Sequence, residues 1–271
     1  MLGQELLIAF GLTLMAGLAT GIGSVLAFFT RTTNTRFLSF ALGFSAGVMI
    51  YVSMIEIFFK AKDSLVDALG PQLGNWSTVG AFFGGMLLIA AIDRFIPKKT
   101  NPHEVKKVED MEKAPDGPVK DDALLKMGTF AALAIAIHNF PEGIATFTAA
   151  LQDPHLGFAI AAAIAIHNIP EGIAVSVPIY FATGDKKKAF KLSFLSGLSE
   201  PVGAIVAYLI LMPFLNDVMF GVIFAGVAGI MVFISLDELL PASKKYDEAH
   251  LSIYGIMSGM AVMALSLLLF I

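Results

Sequence analysis

Apolar residues are gathered along this chain into eight long blocks, separated by short polar stretches. Their limits are near 5–29, 37–59, 77–96, 123–150, 155–183, 189–211, 216–239 and 251–271. A helix crossing a hydrocarbon core of about 30 Å needs about 20 apolar residues, and each block supplies that length. Strands of a membrane barrel would alternate polar and apolar positions over about ten residues, and these blocks do not alternate. The pattern predicts an all-α polytopic membrane protein, one domain built as an eight-helix bundle. The first block has no Lys or Arg before it and no small-residue cleavage site, so it reads as a retained span rather than a signal peptide.

The charges between the blocks set an orientation. Arg31, Arg36, Arg94, Lys98, Lys99, Lys106, Lys107, Lys113, Lys120, Lys126, Lys186, Lys187, Lys188, Lys191, Lys244 and Lys245 all fall on one side of an eight-span arrangement. These are 16 of the 18 basic residues, leaving only Lys60 and Lys62 on the other side. The positive-inside rule places the crowded side in the cytoplasm, with both termini extracytoplasmic. The segment 97–122 carries four prolines and mixed charge, and is expected to be a flexible cytoplasmic loop. His103 lies in it and is read as solvated, as are His155 and His250 in short connections. Asp93 and Arg94 read as an anchor at the end of span three.

Composition narrows the function. Hydrophobic residues make up 56% and charged residues 15% of the 271 positions, with a mean hydropathy of +0.77. A soluble enzyme could not hide that apolar content. The absence of cysteine removes thiolate metal sites and cysteine nucleophiles. A net charge of −4 gives no footprint for nucleic acid. Glycine pairs at four-residue spacing, Gly17/Gly21, Gly43/Gly47, Gly80/Gly84 and Gly255/Gly259, predict close helix packing and would permit a homodimer.

The chemistry is concentrated in one repeated motif. Ile135-Ala-Ile-His-Asn-Phe-Pro-Glu-Gly-Ile-Ala145 recurs 29 residues later as Ile164-Ala-Ile-His-Asn-Ile-Pro-Glu-Gly-Ile-Ala174, with ten of eleven positions matching. His138 and Glu142 are four apart and share a helix face, as do His167 and Glu171. Asn139 and Asn168 sit about 100° round, at the edge of that face. Pro141 and Pro170 cannot donate to the carbonyls of Ile137 and Ile166, which predicts a kink just before each histidine. Gly143 and Gly172 leave room for a close neighbour.

Glu200, in Ser199-Glu-Pro201 of the sixth block, is a further ionisable residue in apolar surroundings. His138, His167 and Glu200 each fall roughly 15–23 Å from a span end at about 1.5 Å per residue, near the middle of a 30 Å slab. A carboxylate there costs at least about 2.5 kcal/mol on insertion scales. A shared divalent cation would compensate three of them. Two imidazoles, two amide oxygens and three carboxylates form a mixed N/O set suited to Zn²⁺, Fe²⁺, Mn²⁺ or Co²⁺, enough ligands for two adjacent ions. The bland alternative is a hydrogen-bonded His/Glu lock between packed helices with its carboxyls protonated.

His138-Asn-Phe-Pro-Glu-Gly143 and His167-Asn-Ile-Pro-Glu-Gly172 resemble the signature of the ZIP (Zrt-, Irt-like) family of divalent metal transporters, and most closely a bacterial branch that carries this doublet. The resemblance covers the whole chain. It implies eight spans with outward termini and a midplane site on helices 4, 5 and 6. His138, Asn139, Glu142, His167, Asn168, Glu171 and Glu200 would be the metal ligands. It also implies uptake of zinc, iron, manganese and cobalt across the cell (inner) membrane, with no organic cofactor, and an elevator-like movement of spans four and five. The family's His-Glu-x-x-Pro-Glu pattern in span seven is here Leu236-Asp-Glu-Leu-Leu-Pro-Ala242, without the leading histidine.

Carboxylates at both mouths would attract cations, with Glu56 outside and Asp237 and Glu238 inside. The expected activity is therefore transport rather than catalysis. The rival readings are an intramembrane metal-dependent hydrolase and a metal-selective channel. The hydrolase reading lacks the His-Glu-x-x-His spacing, and tight multidentate binding opposes fast conduction.

Overall fold

The computed structural model describes residues 2–28, 35–95, 122–211, 214, 216–244 and 250–269. Among them the chain is helical and contains no strand. The helices are α1 (Leu2–Ala27), α2 (Thr35–Tyr51), α3 (Phe58–Leu69), α4 (Pro71–Phe95), α5 (Asp122–Gln152), α6 (Pro154–Thr183), α7 (Lys186–Gly197), α8 (Ser199–Val206), α9 (Asp217–Ile234), α10 (Leu240–Lys244) and α11 (Leu251–Leu269). Seven helical stretches among the described residues are long and apolar enough to cross a membrane: Gly3–Leu26, Ser39–Leu69, Pro71–Arg94, Pro154–Ile173, Lys186–Ile210, Asp217–Lys244 and Leu251–Leu269. The 31-residue α5, which carries the first motif copy, is an eighth long helix. The 97–122 connection, with His103, falls outside the described residues except for Asp122, which opens α5.

Local sequence explains the tight reversals. Asp153 caps α6 by accepting from the His155 N–H at 2.9 Å, and Pro154 occupies the first turn, where its missing N–H costs nothing. Asp185 caps α7 by accepting from the N–H groups of Lys187 and Lys188 at 2.8 and 3.1 Å. Gly70 (φ 80) turns α3 into α4, and Gly184 (φ 64) ends α6, both in backbone conformations that favour glycine. His155 and His250 are exposed, as the sequence predicts.

Two helix groups emerge from the packing. In one, α6 lies against α1, α5 and α7, and α5 lies against α8. In the other, α2 lies against α11, and α9 lies against α3 and α4. The groups meet where α2 touches α6 and α9 touches α5. Backbone crossings are close at glycine. A Cβ on Gly43 would fall 2.4 Å from the Ser252 carbonyl oxygen, and one on Gly255 would fall 2.3 Å from that of Phe40. Gly47 and Gly259 meet the opposite helix in the same way, so two of the predicted glycine pairs interlock α2 with α11. Gly17 likewise meets the Gly197 carbonyl.

Three features differ from the sequence reading. Gly80 and Gly84 do not mediate packing, because a Cβ at either would meet nothing within 4 Å. Helix continues beyond the apolar block that ends near 59, from Thr35 to Leu69, and α3 turns its apolar side toward α9. Among the described residues, three π-helical segments, Val52–Ile57, Ala207–Leu211 and Ser235–Leu239, interrupt the α-helices. In two of them the exit bond is the same, since Phe58 N–H donates to the Ser53 carbonyl and Leu240 N–H to that of Ser235, five residues back.

Candidate metal centre

The motif glycines bring the helices that carry the candidate ligands together. A Cβ on Gly143 would lie 2.0 Å from the carbonyl oxygen of Glu200 itself, and one on Gly203 would lie 2.3 Å from that of Phe140. Only bare backbone allows α5 and α8 to approach this closely, and the approach sets Glu142 beside the helix turn that carries Glu200. Gly172 performs the same service between α6 and α1, where a Cβ would fall 1.9 Å from the Thr20 carbonyl oxygen.

The result is a buried polar layer crossing α5, α6 and α8. Asn139, Glu142, His167, Asn168, Glu171 and Glu200 are all at most 3% exposed. The imidazole Nε2 of His167 lies 3.3 Å from a carboxylate oxygen of Glu142 and 4.0 Å from one of Glu171. The Asn168 amide N–H₂ donates to Glu200 Oε1 and, at 2.9 Å, to the Ala16 carbonyl on α1. The Asn139 N–H₂ donates to the Ser196 carbonyl at 3.5 Å. His138 lies on α5 in the same motif, and its side chain falls outside the described residues.

Each asparagine is thus tied down through its nitrogen. The carbonyl ends, Asn139 Oδ1 and Asn168 Oδ1, are buried and have no hydrogen-bond partner among the described residues. A buried acceptor without a donor is costly unless something positive reaches it. Oxygen from amides and carboxylates, with imidazole nitrogen, is a donor set for a borderline divalent ion. Among the described residues no three His, Asp or Glu side chains are gathered into a finished cage, and the imidazole and carboxylates pair with one another instead. Ligation would exchange those pairings for bonds to a cation.

The three carboxylates expected at the mouths, Glu56, Asp237 and Glu238, occupy π-helical segments. Glu56 lies in Val52–Ile57, half-buried, with Lys60 and Asp153 as its charged neighbours. Asp237 and Glu238 lie in Ser235–Leu239, the first exposed and the second half-buried. Ser53-Met-Ile-Glu-Ile57 and Ser235-Leu-Asp-Glu-Leu239 share a pattern of buried serine, glutamate three residues on, and buried apolar residue after it. This echo was present in the sequence and is the signal that would have matched Glu56 with Glu238. A π turn displaces a side chain round the helix by about one residue, which simple 3.6-residue periodicity does not show.

Comparison with known proteins decides the family. The family model described as "ZIP Zinc transporter" matches residues 4–267. The chain belongs to the ZIP family. It is 75% identical over 266 residues to a protein of Oceanobacillus iheyensis named Zinc transporter ZupT, covering 98% of this chain and 99% of that one. A Lysinibacillus sphaericus protein of the same name is 72% identical, again over 98% and 99% of the two chains. One from Streptococcus mutans is 61% identical over the full length of both. As a ZIP protein the chain is an all-helical, multi-pass membrane protein, in agreement with the eight blocks of its sequence.

Proposed function

We propose that this ZIP protein takes up divalent transition-metal cations, zinc foremost with iron, manganese and cobalt, across the cell membrane into the cytoplasm. The observation that carries the reading is the buried layer in which Glu142 meets His167 and Asn168 meets Glu200. The names of the relatives, each called a zinc transporter, agree with zinc as cargo. Uptake is transport rather than catalysis, and the cation is cargo rather than cofactor.

In this reading the metal arrives from the extracytoplasmic side past Glu56. It loses water to ligands drawn from His138, Asn139, Glu142, His167, Asn168, Glu171 and Glu200, whose number allows two ions side by side. It leaves toward Asp237 and Glu238. The positive-inside count supports this polarity, with both termini outside. All the ligands belong to the group formed by α1 and α5–α8, so a displacement of that group against α2–α4 and α9–α11 would carry the whole site from one face to the other. Alternating access of this kind needs no pore open to both sides.

The coupled ligands must be deprotonated to bind metal, so protons compete with the cargo. Zinc and iron accumulation in a metal-starved, transporter-deficient cell tests the reading. Saturable uptake above background supports it, and accumulation equal to the empty-vector control refutes it. A channel would show single-channel currents, and a hydrolase would accumulate no metal beyond its own stoichiometry.

A further inference from the structure

A cavity of about 750 Å³ lies between the two helix groups, walled by α4 and α9 on one side and α5 and α8 on the other. Phe140, Pro141 and Ser199 line it, each within two residues of Glu142 or Glu200, so it stands at the depth of the metal layer. It is distinct from that layer. Ser199 supplies its one polar side chain among the lining residues, and that hydroxyl already donates to the Ser196 carbonyl at 2.7 Å. Leu88 (56% exposed) and Val222 (44% exposed) stand at the cavity's exposed rim, on two helices long and apolar enough to cross a membrane.

We propose that this groove binds one acyl chain of a membrane phospholipid. Water is a poor occupant, since a stable buried water needs two to four polar partners and no lining side chain offers one that is uncommitted. Left empty, the walls would forfeit dispersion contacts over their whole area. The medium at the groove's open side is hydrocarbon, continuous with the belt that Leu88 and Val222 present to it. The segment 97–121 has no run of apolar residues with which to fill it. The groove exists because its walls are small where they could be large. A methyl group added to Gly84 would have nothing within 4 Å, and one added to Gly226 would meet only the Ala81 carbonyl oxygen at 3.8 Å. The chain would sit as a removable wedge between the ligand-bearing helices and the rest of the bundle.

The test uses the full chain in phosphatidylcholine nanodiscs with a trace of phospholipid carrying a diazirine midway along one acyl chain. After photolysis, labelling is mapped by peptide. The groove segments 136–144 and 222–230 are expected to take several-fold more label than the 261–268 stretch of α11, which exposes Val262, Leu265 and Leu268. Gly84→Phe and Gly226→Leu should each remove the excess and leave α11 labelling unchanged, while Gly226→Ala should retain it and control for folding. Groove labelling no greater than that of α11, or unaffected by both filling variants, overturns the proposal. The chain has no cysteine, so Gly84→Cys gives a further check. Efficient disulfide pairing of two chains through that position would show a second copy in the groove and also overturn it.

Discussion

His167 on α6 and Glu142 on α5 face each other at 3.3 Å in the buried centre of the bundle, 25 residues apart in sequence. Each comes from one copy of the repeated motif, so the repeat is a device for bringing complementary groups across a helix pair. On the proposed reading, a carboxylate removed from this layer takes away a ligand of the transported cation. Glu142→Ala is expected to abolish zinc uptake while membrane insertion continues, because a deep carboxylate is costly to insert. Uptake assays paired with quantified protein in the membrane fraction check this. Wild-type rates in the variant would remove Glu142 from the ligand set.

Much of this was legible in the chain itself. The apolar blocks gave the helical membrane bundle, because the bilayer demands length and apolarity that few other folds require. The duplicated His-Asn-x-Pro-Glu-Gly marked the layer, because an intramembrane carboxylate has few uses other than function. Three matters were hidden. That Gly143 abuts the backbone of Glu200 is a long-range contact with no local trace. That Gly80 and Gly84 face open space shows that four-residue spacing signals an available surface, which only tertiary structure can fill. The π turns at Glu56 and at Asp237-Glu238 arise within stretches whose composition is ordinary for a helix.

Gly143 offers a packing test. A side chain there would collide with the Glu200 carbonyl, so Gly143→Val should force α5 and α8 apart. Overpacking of this sort costs about 1–3 kcal/mol. The expected outcome is a lower thermal midpoint in detergent together with lost uptake. By contrast, Gly80→Ala, which meets open space, should leave both unchanged.

The mouth carboxylates should act on capture rather than on the central site. Glu56→Gln is expected to raise the zinc concentration for half-maximal uptake several-fold, with a smaller change in maximal rate. Concentration-dependent initial rates separate the two effects. An unchanged half-saturation point would mean that Glu56 merely meets water.

Proton competition gives the expected pH profile. On the proposed reading a proton and a cation compete for the same binding atoms, so uptake should fall toward acid pH and recover on return to neutrality. Vesicle uptake at two external pH values checks this, and equal rates would count against ligands open to protons.

The most direct measurement is radiolabelled zinc accumulation in a metal-starved, transporter-deficient cell expressing either this chain or its Glu142→Gln/Glu200→Gln double variant. The buried layer predicts saturable accumulation with the chain and background levels with the variant, at equal amounts of membrane protein. Equal accumulation by the two would contradict the assignment of cation binding to that layer.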